Sequence, residues 1–228
     1  MNEDFDFRMY ARSFRAAAAT LLEGARTPLA VAGGTHLLVA AVEKDLCRFG
    51  AYAGLDRVAC RAGCSACCIL NVSVLFPEAI TISRFLCNRL EYENLLAIQA
   101  RVEEVDVRTR WLTDDERADI HEPCAFLDGR GWCLVHPARP LLCRSVTSLD
   151  AALCRDALAA APFAEARTIP MNLFQKALTE AAYLGFAAGL EQLGLDNRSW
   201  RLATAVNRLL TVPGATGDFL AGKQVARH

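Results

Sequence analysis

The chain has 228 residues, 53% of them hydrophobic, and its 25 basic and 26 acidic side chains give a formal charge of -1. That balance leaves no global field to draw in nucleic acid or an anionic membrane, and the apolar content can bury a core without covalent staples. The length suits one domain, and partners have to be argued from a site.

The opening MNEDFDF is acidic where a secretory leader carries positive charge ahead of an apolar run. A cytoplasmic location is therefore expected, and in that reducing setting ten cysteines point to metal or redox chemistry rather than to disulfides. Residues 5–24 read as a first helix ending at Gly24. Residues 28–49 read as a second, opened by Pro28 in its first turn and closed near Gly50. This second stretch holds the most apolar segment, Pro28 to Val42. Gly33, Gly34, Thr35 and His36 interrupt it, and it is shorter than the roughly 20 residues a membrane-spanning helix needs.

Pro77 opens a third stretch in which Ile80, Ile82, Phe85, Leu86 and Leu90 have helical spacing. A fourth helix is expected from about Glu93 to Trp111. Thr113 to Glu116 then has the form of a capping box, with a short helix toward His121. Its acidic run suits a first helical turn better than a carboxylate metal site. Pro123, Gly129, Gly131, Pro137 and Pro140 punctuate residues 122–147 into turns and short extended pieces. Helical character returns from Ser148, read as an N-cap. Leu173, Ala177, Ala181, Leu184 and Ala188 then line one face of a long helix ending near Gly194, and a last helix covers about residues 199–210. The expected fold is mainly α: one irregular helical domain over residues 1–228, with two cysteine-rich loops converging on a metal centre. Its metal-binding core spans residues 60–154, and the N-terminal (5–50) and C-terminal (170–222) helical elements pack around it.

The cysteines are clustered. Cys60, Cys64, Cys67 and Cys68 fall within the nine residues of CRAGCSACC, Cys124, Cys133 and Cys143 lie in the irregular segment, and Cys154 follows in the next helix. Cys47 and Cys87 stand alone in helical patterns and read as small buried hydrophobes. Thiolates ligate zinc and hold iron–sulfur clusters when folding brings two chain segments together. Cys64 and Cys67 form a Cys-x-x-Cys that one turn can aim at one ion, and Cys60, Cys64 and Cys68 would share a helical face. The adjacent Cys67 and Cys68 should diverge. Eight thiols exceed one tetrahedral site, which leaves a second ion, a bridged pair, an iron–sulfur cluster or spare reactive thiols, and favours at least two metal atoms. Arg61, Arg130, Arg139 and Arg144 stand beside cysteines where they could offset thiolate charge, and His121 and His136 flank the second group as further candidate ligands.

The order of CRAGCSACC, NVSVLFPEA, PCAFLDGRGWC and HPARPLLCRS, followed by Cys154, resembles the YkgJ-type cysteine-cluster family, described as a zinc- or iron-chelating domain. The resemblance covers residues 60 to about 154. It implies that Cys60, Cys64, Cys67, Cys68, Cys124, Cys133 and Cys143 form the family's cluster, with Cys154 as an outlying member. Pro123, Phe126, Leu127, Arg139, Pro140 and Arg144 would then fill supporting positions. His136 departs from the aromatic residue usual there, and Leu70 and Asn71 stand where more polar pairs are common. Some relatives, the flagellin lysine methylases, resemble iron–sulfur enzymes that alkylate lysine.

The expected function is a zinc- or iron-binding protein in storage, sensing or structural organisation, with a metal ion as partner and neither nucleic acid nor membrane. The alternative is an iron–sulfur enzyme, a lysine methylase-like alkyl transferase with a [4Fe–4S] cluster. Against it, no glycine-rich strand-to-helix turn that would cradle a nucleotide-like cofactor is visible. A metal-free thiol redox module is a third class, for which eight thiols are surplus. No catalytic residue can be assigned, and no Ser/His/Asp set can be proposed.

Overall fold

Asp6 accepts hydrogen bonds from the Arg8 and Met9 amides, both at 2.9 Å, and so starts α1, Phe7–Leu22. Thr27 does the same for Ala30 at 3.1 Å, Pro28 takes the first helical position, and α2 runs over Pro28–Ala53 until Gly54 turns left-handed at φ 64°. The helix continues through Gly50, where the sequence led us to expect its end. The computed structural model describes residues 5–160 and 168–226. Residues 1–4, part of the acidic opening, and residues 161–167, in the helical stretch expected after Ser148, lie outside them.

The middle of the chain follows its local signals. α3 is Phe76–Arg89, α4 is Tyr92–Thr109 and α5 is Asp114–Asp119. The capping box forms, with Thr113 Oγ1 accepting from the Glu116 amide at 3.3 Å and Glu116 accepting from the Thr113 amide at 2.7 Å. Residues 122–147 are turns that enclose only a 3₁₀ turn, His136–Ala138, and the short α6, Leu141–Ser145. α7 is Ala151–Ala159 and its N-cap is Asp150, not Ser148. The Asp150 carboxylate takes the Ala152 and Leu153 amides, while the Ser148 hydroxyl accepts from the Asp150 amide at 3.0 Å.

α8, Leu173–Gln192, is capped by Asn172, and α9 is Leu202–Thr211. Two features fall outside the sequence reading. β1, Ser73–Val74, pairs antiparallel with β2, Trp200–Arg201, and α10, Ala215–Leu220, follows the last expected helix.

The apolar core is one cluster that reaches from Phe14 to Val225 and draws on every helix except α5 and α7. α1 lies along α8, and the crossing is close because Gly185 and Gly189 have no side chain. A Cβ on Gly185 would sit 2.4 Å from Ala11 O, and one on Gly189 would sit 2.7 Å from Ala18 Cβ. The helix buries Leu178, Ala181, Ala182, Gly185, Phe186, Gly189 and Leu190, so Ala181 of the expected face is buried, whereas Leu173 (71% exposed) and Leu184 (64%) point to solvent and correct the placing of its two leucines. α4 meets α9 through Asp106, which accepts from Thr204 at 2.5 Å and Asn207 at 2.8 Å and pairs with Arg110 at 2.8 Å. Among the described residues no helix is long and apolar enough to cross a membrane.

Candidate metal centre

Backbone anchors fix the first cysteine segment to the scaffold. The Ala59 amide donates to Ser148 O at 2.8 Å, and the Ser148 amide donates to Cys60 Sγ at 3.3 Å. Gly63, left-handed at φ 81°, lets the chain turn so that the Cys64 amide reaches Arg61 O, and Ala66–Ile69 then forms a 3₁₀ turn carrying Cys67 and Cys68. Cys60, Cys64 and Cys68 thus share no helix.

The second segment joins the first directly, since the Cys124 amide donates to Cys68 O at 2.7 Å. Asp128 then organises a hairpin. Its carboxylate accepts from the Arg130 and Trp132 amides at 2.9 and 2.8 Å, Gly131 turns left-handed, and Leu127 bridges Cys133. Farther on, Glu78 of α3, 2% exposed, accepts from the Leu141 amide with Oε1 and from the Leu75 amide with Oε2, both at 2.8 Å. One buried carboxylate thus starts α3 and α6 together and holds the short helix that bears Cys143. Arg144, also buried, donates to Arg139 O at 3.0 Å and Pro137 O at 3.4 Å and pairs with Glu43 of α2.

The two segments meet around a cavity of about 320 Å³ whose wall includes Cys64, Cys67, Cys68, Cys124, Cys133 and Cys143. Cys60 and Cys154 lie off that wall beside each other, and Cys60 also has Cys64 and Cys67 as electrostatic neighbours. All ten cysteines are free thiols. Cys47 and Cys87 are exposed on α2 and α3, so the reading of both as buried hydrophobes is corrected, and neither lines the cavity.

Contrary to the divergence expected of neighbours, the Cys67 and Cys68 thiols hydrogen-bond to each other. The Cys68 thiol donates, and this bond together with Arg139 holds Cys67 down to about 7, while the same bond and burial push Cys68 well above the ordinary thiol range. Burial pushes Cys124 up to about 11 and Cys143 up to about 12, and raises Cys133. His136 lines the cavity, whereas His121, left-handed at φ 49° just beyond α5, does not. Of the cationic neighbours, Arg61 and Arg139 line the cavity, Arg144 lies behind it, and Arg130 is exposed on the hairpin. Arg117, Arg201 and Trp132 also line the wall. No local pattern marks the two arginines, because α5 and β2 bring them in from segments that carry no cysteine.

Soft sulfur donors from two segments, facing one cavity with guanidinium groups beside them, fit zinc or iron by chemistry. Among the described residues, however, no three His, Cys, Asp or Glu side chains are drawn together closely enough to hold one ion.

The architecture defines a helical scaffold carrying a thiol-lined cavity in irregular loops. Residues 59–158 match the model of the CxxCxxCC family, whose description reads "Putative zinc- or iron-chelating domain". None of the curated proteins or solved structures compared matches the chain.

Proposed function

We propose that the protein chelates zinc or iron through Cys60, Cys64, Cys67, Cys68, Cys124, Cys133, Cys143 and Cys154, and that chelation organises the two loops on the helical scaffold. The observation that carries this reading is the single cavity wall shared by cysteines of both segments, all of them free thiols. The electrostatic neighbourhoods divide the donors. Cys60 keeps company with Cys64, Cys67 and Cys154, whereas Cys68 neighbours Cys124 and Cys143, and Cys143 neighbours Cys133. With Cys67 adjoining both groups, this division favours about two metal atoms per chain, since a closed zinc site takes four ligands. The same donors also suit a [4Fe–4S] cluster.

A bound metal would supply the positive charge that lets these thiols give up their protons. The chain supplies the rest. Arg139 stands against Cys67, Cys133 and Cys143 and favours their thiolates, and Arg144 adds its charge from behind. Elemental analysis with an acid-labile sulfide assay on anaerobically purified protein tests the reading. The expected result is zinc or iron at about two atoms per chain, with a chelator increasing hydrogen exchange in residues 59–158 and lowering the melting temperature. Metal-free protein whose eight thiols label at once and whose melting temperature ignores the chelator would overturn it.

A further inference from the structure

We infer that the cavity beside the thiols is also a binding site for a small, largely apolar molecule carrying a single carboxylate, held by Arg117. This goes beyond metal chelation and does not depend on which metal the thiols hold.

Five charged side chains are buried among the described residues: Glu78, Asp106, Arg117, Arg144 and Asp196. Four are compensated. Glu78 takes two amides, Asp106 pairs with Arg110, Arg144 pairs with Glu43, and Asp196 pairs with Arg198 at 2.6 Å. Arg117 is the exception. It is 3% exposed, its guanidinium has neither a hydrogen bond nor an ion pair to any described residue, and its Nη1 is shut off from solvent without an acceptor. A buried, unpaired charge is costly unless an anion arrives to meet it.

The protein's own anions do not serve. Glu122, an acid whose charge Arg117 feels, is bonded to Arg108 at 3.0 Å, and Cys124 would give its charge to any metal it holds. Arg117 lines the cavity, so the missing anion can come from there.

The shape and polarity of the cavity select its occupant. Its volume of about 320 Å³ is at the lower end of the range for small-molecule sites. Away from the cysteines and the arginines its walls are mostly apolar, including Val72, Val105, Phe126, Leu127 and Leu202. Trp132, 52% exposed, stands on the rim with its ring 3.7 Å from where a Gly63 side chain would begin. A guanidinium fork matches a carboxylate in geometry. It also matches in charge, because Arg201, whose charge Arg117 feels, is already engaged by Leu112 O and by Asp114 at 3.7 Å, and Arg139, also on the wall, stands against Cys67, Cys133 and Cys143. A doubly charged phosphate would leave negative charge unbalanced against apolar walls.

The test uses the full-length protein as purified with its metal, titrated calorimetrically with phenylpropionate, phenylpropanol and methylphosphonate, with tryptophan fluorescence as a second readout. Phenylpropionate is expected to bind at least about tenfold more tightly than the alcohol, the smallest effect a charge-assisted hydrogen bond should have, and methylphosphonate more weakly than both. Arg117→Gln should abolish the preference for the acid while leaving alcohol affinity and metal content unchanged, and Arg117→Lys should keep part of it. No saturable binding of phenylpropionate, equal binding of acid and alcohol, or a folded Arg117→Gln protein that binds the acid like the wild type would overturn the inference. So would preferential binding of methylphosphonate. Should Arg117→Gln fail to fold, the acid-to-alcohol ratio of the wild type still decides. Protein that binds the acid but carries no metal would support this site and defeat the chelation reading, and the reverse pattern would do the opposite.

Discussion

Replacing Glu78 by Gln tests whether one carboxylate holds α3 to the segment that carries Cys143. Glu78 is 2% exposed and its two oxygens accept the Leu75 and Leu141 amides, both at 2.8 Å. Gln keeps one acceptor but turns an N–H toward the other amide, which leaves a buried donor unsatisfied at a cost of about 1–3 kcal/mol. The pH dependence is more diagnostic. Burial pushes the Glu78 carboxyl from 4.5 up to about 7, against the pull of the two amides and Arg144. A folded-state value above the unfolded one means that the carboxyl binds its proton more tightly in the native protein. Its contribution to stability is therefore fully present below about pH 4.5 and is lost as pH rises through about 7. The loss across that window is about 3 kcal/mol. Gln does not titrate. In urea denaturation between pH 5 and pH 8, the wild-type advantage over Glu78→Gln should be greatest at the acid end and shrink toward neutrality, by up to about 3 kcal/mol. An advantage that is constant with pH, or that grows as pH rises, would refute the reasoning. The first would mean that the carboxyl is not desolvated, the second that its amide partners outweigh burial.

Gly185→Ala and Gly189→Ala should each introduce an overpacking cost of up to about 3 kcal/mol, because the new Cβ would meet Ala11 O at 2.4 Å or Ala18 Cβ at 2.7 Å. That outweighs the ~1 kcal/mol that alanine gains in helix propensity. Urea midpoints unchanged or raised would show that α1 and α8 do not cross so closely. In metal-stripped protein Cys67 should alkylate with a half-point near pH 7, as set by the Cys68 thiol and Arg139. Cys68→Ala removes the donor and should slow Cys67 alkylation at pH 7 at least ~10-fold, read by peptide mass spectrometry; an unchanged rate would exclude the thiol pair.

The helices were legible where a cap or a proline announces them. Thr113 with Glu116 and Pro28 after Thr27 mark real starts, and the irregularity of residues 122–147 follows from its prolines and glycines. What failed was information held by tertiary packing. Spacing along α8 picks out Leu173 and Leu184, yet the helix buries the face whose glycines admit α1, and a glycine leaves no mark in a hydrophobic pattern. Ser148 looks like a cap, but Asp150 two residues on takes the amides. β1 and β2 are two residues each and exist only as a pair from distant parts of the chain. In the candidate site, the cysteines were visible as residues, while Arg117 and Arg201 belong to segments that carry no cysteine and Glu78 acts through a contact 63 residues away in sequence.

The way the loops are held bears on what a metal does here. Small zinc modules lack a core and fold only with the ion bound. In this chain the apolar cluster runs through nearly all of the helices, and each cysteine segment is tied to that scaffold or to its partner by bonds that involve no metal: Ala59 to Ser148, Cys124 to Cys68, and Leu141 to Glu78. The scaffold thus bears much of the entropic cost of bringing the two segments together before any ion is present. Burial nevertheless keeps Cys124, Cys133 and Cys143 protonated at neutral pH, so of the thiols beside Arg139 only Cys67, held down to about 7, carries part of a charge to balance it. Chelation would convert that wall from mostly neutral thiols to thiolates facing guanidinium groups. The division of labour is then physical: helices position the sulfurs, arginines favour their deprotonation, and a chelated metal would decide the charge state of the cavity.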